Sequence, residues 1–192
     1  MNQARSATKE ARLHAILDAA TEILVEKPTA SLNDIAEHAG VGIATLHRYV
    51  ESREQLILQL GLRAAKVVGE TMDHLPAVEE NYDTYIPALV EALIPIGDKI
   101  HFLTQDTSLC YNAEMLAAEE KILERVRSAI HSLQQMGKLR QDLSADWIVN
   151  VLYSLLILAW QQVQQGHIAK RAAAKLVVET LYHGVQAAAT EQ

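Results

Sequence analysis

The sequence has few of the residues that build turns. Its 192 residues include 8 glycines and 4 prolines, and only 5% are aromatic. Alanine, leucine, glutamate and glutamine, which favour helices, are plentiful by contrast. A β-sandwich or β-barrel needs many tight turns, so this composition argues against one. Because 49% of the residues are hydrophobic, the chain can bury a sizeable core, and we expect an all-α fold of long helices joined by short loops.

The sequence also lacks the marks of secreted and membrane proteins. Its single cysteine, Cys110, cannot form an internal disulfide. Residues 1–9 are polar and contain no apolar signal region. The longest apolar stretch, Trp147 to Trp160, is interrupted by Asn150 and Ser154 and is shorter than the roughly 20 residues that span a bilayer. We therefore expect a cytoplasmic protein with no membrane partner.

Motifs of known enzymes are missing as well. The chain has no Walker loop, no Gly-x-Ser-x-Gly, no His-Glu-x-x-His and no pair of Cys-x-x-Cys motifs. Asp98 and His101 form a single acid-histidine pair, whereas a helical di-iron site needs two Glu-x-x-His motifs and more carboxylates. The segment from Gly40 to Thr45 resembles the start of a dinucleotide loop but lacks the third glycine and a preceding strand. We predict neither an enzyme nor a cofactor or metal site.

Charge is distributed unevenly along the chain. Residues 1–66 carry no net charge, and residues 67–192 carry the whole net charge of −7. Three cations, Arg5, Lys9 and Arg12, lie close together at the start. Taken alone, this cluster fits a solvated surface as well as it fits a nucleic-acid partner.

Helical periodicity organises the first third of the chain. Apolar residues recur at i, i+3 and i+4 over 9–27, and Pro28 ends this amphipathic helix. Ser31 is a good N-cap for a helix of about two turns that closes at Gly40. A second short helix follows Gly42, carries Leu46 and Val50 one turn apart and ends near Glu51. Ser52 then caps a longer helix from Arg53 to about Met72. Two short helices around a glycine turn, braced by a helix before them, have the outline of a helix-turn-helix.

The residues of this segment resemble the tetracycline-repressor (TetR) family. The family pattern has a Ser/Thr cap, Ile-Ala, Ala-Gly-Val, a Thr-Leu-Tyr-x-His-Phe recognition helix and then Lys-x-x-Leu. The matching residues are Ser31, Ile35-Ala36, Ala39-Gly40-Val41, Thr45-Leu46, Arg53 and Leu56. This resemblance implies an N-terminal three-helix DNA-binding domain at residues 1–69, with the helix-turn-helix at about 32–51. A helical effector-binding and dimerisation domain follows at 70–192, which makes about nine helices in all.

Several residues depart from the family pattern in the recognition helix. Gly42 stands where serine is frequent, Ile43 where a polar residue is common, His47 in place of tyrosine, Tyr49 in place of histidine and Val50 in place of phenylalanine. These exchanges leave the fold pattern intact. They change the side chains that would face the bases.

A helical wheel of about 100° per residue separates the recognition helix into two faces. Opposite Leu46 lie Ala44, Thr45, His47 and Arg48. Arg48 can make a bidentate contact with guanine, Ala44 and Thr45 can touch a thymine methyl group, and His47 can donate to phosphate. Ile43 lies on the boundary between the faces.

Arg53 begins a helix, where the dipole disfavours a cation, so a DNA phosphate partner explains it better. Ser31 is first a cap and could also donate to phosphate. The predicted DNA-binding set is Ser31, Gly42, Ile43, Ala44, Thr45, His47, Arg48, Tyr49 and Arg53.

The sequence pattern of the C-terminal two thirds of the chain predicts further helices. Those before residue 112 are broken by Pro76, Pro87 and Pro95, and a long helix over 112–136 ends at Gly137. A helix over 144–165 is apolar on almost every side, and the last helix, 169–189, has a seam of small and apolar residues. Two such helices from each of two subunits would form a four-helix bundle, as the family resemblance implies. The predicted dimer interface is Val151, Leu155, Leu158, Ala173, Val177, Leu181 and Gly184.

A dimer also suits the reading of DNA. Two recognition helices about 34–36 Å apart read a palindrome in double-stranded DNA. We expect a homodimeric regulator, a repressor of nearby genes that is released by a small apolar effector. Candidate pocket residues are His101, Phe102, Tyr111, Met115, Tyr153 and Trp160, although each also suits an ordinary core position. Two alternatives stay open: an all-α enzyme or carrier with a vestigial motif, and a helical adaptor for another protein.

Overall fold

The computed structural model describes residues 2–75, 84–97 and 101–185, apart from the side chains of residues 2–8, 102, 105 and 185. Within these ranges the chain forms eight α-helices, two short 3₁₀ helices and no strand, which confirms the all-α fold. None of the described helices has the length and apolar character that crossing a lipid bilayer requires. The helices are α1 Asn2–Glu26, α2 Leu32–His38, α3 Ile43–Leu46, α4 Arg53–Asp73, α5 Tyr85–Leu93, α6 Ala113–Gln135, α7 Ala145–Gln164 and α8 Lys170–Val185, and the 3₁₀ helices are Ile94–Ile96 and His101–Gln105.

The chain packs as two compact units. The first contains residues 1–64 and 99–116, and the second contains residues 65–98 and 117–192. The divisions after residues 64 and 116 fall inside α4 and inside α6. The boundary at residue 69 between a DNA-binding and an effector-binding domain stays a prediction. Segment 99–116, assigned from the sequence to the C-terminal part, packs with the N-terminal helices. Leu109 and Met115 contribute to this grouping, because their side chains lie directly against Gly61 of α4.

Apolar stripes of the first four helices form the core of the first unit. Helix α2 packs on α1, and α3 packs on α2. The buried residues at helical spacing are Ile16, Leu17, Ala20 and Leu24 of α1, Ile35 and Ala36 of α2, Leu46 of α3, and Leu56, Ile57 and Leu60 of α4. The amphipathic pattern that predicted α1 therefore marks the face that braces the two short helices.

In the second unit, α7 packs against α8, and α5 packs against α8 as well. Three residues of α8 are buried in this contact: Ala173, Val177 and Leu181 are 0%, 3% and 1% exposed. Their assignment to the dimer interface is therefore wrong, because these side chains already fill the core of their own chain. The other predicted interface residues remain accessible: Leu158 is 50% exposed, Gly184 is exposed, and Val151 and Leu155 are half-buried.

The prolines act differently from the sequence expectation. Pro87 does not break a helix, because it is the third residue of α5 and a first-turn residue needs no backbone N–H for the helix. Pro95 lies in the 3₁₀ turn that follows α5. Pro76 and the end of the last predicted helix, with Ala188, lie outside the described residues.

A glycine contact fixes the packing around Trp160. A Cβ on Gly97 would lie 1.9 Å from Cδ1 and 2.1 Å from Nε1 of the Trp160 indole, so only glycine fits there.

We expect Gly97→Ala to lower the free energy of unfolding by about 1–3 kcal/mol, because the indole must shift. Gly69→Ala in α4 is the control, since a Cβ there has nothing within 4 Å and should stabilise the helix by about 0.5–1 kcal/mol. Urea unfolding gives the free energy of unfolding of both variants and of the wild type. A Gly97→Ala protein as stable as the wild type would contradict the close contact between Gly97 and Trp160.

Candidate nucleic-acid interface

A reciprocal cap fixes the start of α2. The backbone N–H of Asp34 donates to Ser31 Oγ at 3.2 Å, and the backbone N–H of Ser31 donates to Asp34 Oδ2 at 2.7 Å. The Ser31 hydroxyl also donates to Asp34 Oδ2, at 2.7 Å. These bonds from Ser31, together with Lys27 at 3.3 Å, hold the pKa of Asp34 below its ordinary value. The capping role predicted for Ser31 is confirmed, and its predicted phosphate contact stays a prediction.

A left-handed glycine makes the turn between α2 and α3. Gly40 has φ of 63°, a conformation that side-chain-bearing residues rarely adopt. The N–H of Val41 then donates to the carbonyl of Ala36 at 2.9 Å, which closes the end of α2. Gly42 follows with extended backbone and begins α3 without a side-chain cap.

Helix α3 is shorter than predicted. It ends at Leu46 because the N–H of Arg48 bonds to the carbonyl of Thr45, 3.2 Å away, and so tightens the chain into a turn. The N–H of Val50 still donates to the carbonyl of Leu46 at 3.1 Å. Leu46 and Val50 are both 0% exposed, so this one turn of helix and the turn after it are held by burial in the first unit.

The opposite face of α3 is open. Ala44, His47 and Arg48 are exposed, and Thr45 is half-buried. Ile43, placed on the boundary by the sequence, is 37% exposed. In the part of the chain that the structure describes, the side chains of His47 and Arg48 have no hydrogen-bond or ion-pair partner. Of the remaining predicted DNA contacts, Gly42 is exposed and Tyr49 is half-buried.

Arg53 is placed differently from the rest of the predicted DNA-binding set. Its Nη1 donates to Asp106 Oδ2 at 3.0 Å, and its Nη2 donates to the carbonyl of Pro28 at 2.8 Å. Its Nε lies 3.4 Å from the carbonyl of Ala30. The guanidinium is thus held by three acceptors inside the first unit, and its contact with a DNA phosphate stays a prediction.

The sequence reasoning missed Asp106. Its Oδ1 accepts hydrogen bonds from the backbone N–H of Ser108 at 3.1 Å and from the Ser108 hydroxyl at 2.6 Å. Burial raises the pKa of Asp106, but the bonds from Ser108 and Arg53 outweigh it and hold the pKa below its ordinary value. Asp106 is therefore a fixed anion at neutral pH. The Asp-x-Ser spacing of an Asx turn was the only local signal for it.

The predicted effector residues are divided between the two units. His101 and Met115 are buried in the first unit, and burial lowers the pKa of His101. Tyr111 is 90% exposed and lines no interior pocket in this structure. The side chain of Phe102 lies outside the described residues. In the second unit Tyr153 is 42% exposed and Trp160 is buried. The six residues do not form one cluster within a unit, and the pocket stays a prediction.

Comparison with known proteins agrees with this geometry. Residues 16–60 match the family model described as bacterial regulatory proteins, tetR family. The chain is 27% identical to the HTH-type transcriptional repressor LfrR of Mycolicibacterium smegmatis over 165 residues, 84% of each protein. It is 22% identical to the regulator NfxB of Pseudomonas aeruginosa, covering 88% of this chain and 91% of that protein.

The fold is similar to a solved structure of LfrR in complex with proflavine. That comparison gives a TM-score of 0.77 at 23% identity and covers 92% of this chain and 97% of the other. A short helix presented by a helix-turn-helix defines the class of DNA-binding transcriptional regulators. Within that class, residues 16–60 match the DNA-binding segment of the TetR family, and the chain is similar to the transcriptional repressor LfrR over most of its length.

Proposed function

We propose that the protein is a homodimeric repressor that binds a palindromic operator and leaves it when a small apolar effector binds. The observation that carries this proposal is the open face of α3. Ala44, His47 and Arg48 point away from a core that holds Leu46 and Val50, and the Arg48 guanidinium is unpaired within the described residues. In a major groove this face would place Arg48 on guanine and His47 on phosphate. Gly42, Ile43, Thr45 and Tyr49 would complete the contacts, with Ser31 at the DNA backbone.

The assignment of base reading to Arg48 can be tested by selecting the operator from random DNA and then measuring single-base variants. Arg48→Ala should lose about 1–3 kcal/mol of discrimination at one position in each half-site, because the bidentate contact is gone. Arg171→Ala is the control, since Arg171 is an exposed arginine of α8, far along the chain from the helix-turn-helix. Wild-type binding without any sequence preference would instead support the carrier or adaptor alternatives. An Arg48→Ala protein with unchanged preference would remove Arg48 from the site.

A two-fold dimer is supported by the outer face of α7. Trp147 and Leu158 are 59% and 50% exposed, and Val151 and Leu155 are half-buried. These four residues, the α7 outer stripe, fall within about 80° on a helical wheel. On α8, Leu176 is 49% exposed on a face different from the one that packs inside the chain. Covering these apolar side chains with a second copy would remove them from water and set the spacing of two α3 helices.

A charge on the α7 outer stripe should separate the subunits. We expect Leu158→Arg to sediment as a single species of 21.2 kDa, because a buried arginine without a partner is costly in an interface. Leu116→Arg on α6 is the control, since Leu116 is 45% exposed and lies outside α7 and α8. It should leave the dimer intact. A Leu158→Arg protein that stays dimeric would show that the interface lies elsewhere.

The effector proposal is supported by Trp160. The residue is 8% exposed, and among the described residues no acceptor lies within hydrogen-bond distance of the buried Nε1. A buried N–H without a partner costs about 1–3 kcal/mol, and a ligand that brings an acceptor would recover part of it. The relative LfrR has been crystallised with the small molecule proflavine. An apolar effector that carries a carbonyl or a similar acceptor would suit this unpartnered donor.

Two matched compounds test this assignment: fluorenone, which has a carbonyl acceptor, and fluorene, which has none. Fluorenone should bind roughly five- to tenfold more tightly in calorimetry, because it can accept from the indole N–H. Trp160→Phe should abolish this difference in affinity, because phenylalanine keeps an aromatic ring but has no N–H donor. Trp147→Phe, which changes the exposed tryptophan, should preserve it. Equal affinities for the two compounds in the wild-type protein would rule out Trp160 as the donor.

A further inference from the structure

The guanidinium of Arg53 joins the two ends of the helix-turn-helix. Residues 31–52 contain α2, α3 and their turns, and the residues that bracket them are Ala30 and Arg53. Arg53 itself approaches the carbonyl of Ala30 at 3.4 Å and bonds to that of Pro28 at 2.8 Å. The side chain therefore closes this segment into a loop whose ends are held together. A change in that closure would displace the ends of the segment that carries α3.

Asp106 holds the guanidinium in that position. It is the only acidic group among the described residues that bonds to Arg53, at 3.0 Å, and its side chain is 17% exposed against 34% for Arg53. Its second oxygen is fixed by two hydrogen bonds from Ser108. The pair is thus partly shielded from water and screened less than a surface ion pair. Asp106 comes from a segment packed on the first unit, 53 residues further along the chain.

We propose that Asp106 and Arg53 are positioning residues for DNA recognition: together they clamp the ends of the helix-turn-helix, and Arg53 is not a free contact to phosphate. This inference rests on the proposed operator binding. The planar fork of arginine reaches Asp106 and two carbonyls in different directions at once, which the single ammonium of lysine does not do. Lysine, by contrast, binds phosphate well as a point charge. The two roles of Arg53 therefore give opposite expectations for Arg53→Lys.

The charge of Asp106 also separates the roles. Asp106→Asn removes a negative charge near DNA, which by electrostatics alone should strengthen binding. A clamp predicts the reverse, because asparagine has no charge and only one acceptor oxygen, which cannot serve both Arg53 and Ser108 as the two carboxylate oxygens do. Asp18→Asn is a matched control in the same unit: Asp18 pairs with Arg63 of α4 at 2.6 Å and lies on a more exposed surface. It changes the net charge equally without touching the ends of the helix-turn-helix.

The experiment measures the affinity of the full-length protein for the selected operator and for random DNA, as a function of salt. Asp106→Asn and Arg53→Lys should each weaken operator binding roughly tenfold. The double variant, Arg53→Lys with Asp106→Asn, should bind the operator no more weakly than either single variant, because both substitutions break the same contact. Binding to random DNA and the salt slope should stay at wild-type values, because no phosphate contact is lost. Asp18→Asn should bind the operator as the wild type does, and Asp106→Glu should restore part of the affinity.

Three results would overturn the clamp. One is an Asp106→Asn protein with equal or tighter operator binding. Another is an Arg53→Lys protein with wild-type affinity, and the third is a pair of losses that add in the double variant. A wild-type protein that shows no operator preference would overturn the proposed function, and the clamp with it. Urea unfolding of each variant without DNA identifies any loss that comes from unfolding, and the Arg53→Lys and Asp106→Glu variants then decide the outcome.

Discussion

Burial of Leu46 and Val50 is the constraint on which the recognition surface depends. A helix of four residues has no stability of its own, since the cost of nucleation exceeds what so few hydrogen bonds return. Both side chains are fully buried, and each contributes about 1.5–3 kcal/mol when removed from water. Their burial also decides direction. Once they point inward, the geometry of one helical turn leaves Ala44, His47 and Arg48 pointing outward, so the core of the first unit determines which side chains α3 exposes.

The local part of this arrangement was predictable from the sequence, because its signals are local. Ser31, Gly40 and Ser52 are caps and turn residues that act within a few positions, and each works in the structure as expected. The clamp was not predictable. An arginine at the start of a helix suggested a phosphate ligand, because Asp106 lies 53 residues away and helical periodicity gives no information about so distant a contact. The sequence analysis did not single out Asp106, whose Asp-x-Ser spacing is typical of a turn and does not indicate an ion pair.

The last two helices mark a second limit of sequence reasoning. Periodicity identified Ala173, Val177 and Leu181 as one seam, and the seam exists. Periodicity does not say which neighbour covers a seam, however, and here the neighbours are α7 and α5 of the same chain. The α7 outer stripe was harder to recognise because that helix is apolar nearly all round. One of its faces is buried in the core of the second unit, and the other is left exposed or half-buried.

Because the protein has a net negative charge, DNA binding would depend more on the position of a few side chains than on long-range electrostatic attraction. The first 66 residues are neutral and the remainder carries −7, so the protein as a whole does not draw DNA toward it. Exposed charges further apart than a Debye length of about 8 Å contribute little at physiological salt. Specific binding would therefore depend on a few cations held at the right place. For such a protein a small change in the angle of α3 costs much of the specific affinity, because no large electrostatic background compensates for it. In the proposed clamp, an ion pair that touches no base would therefore set how tightly the operator is held.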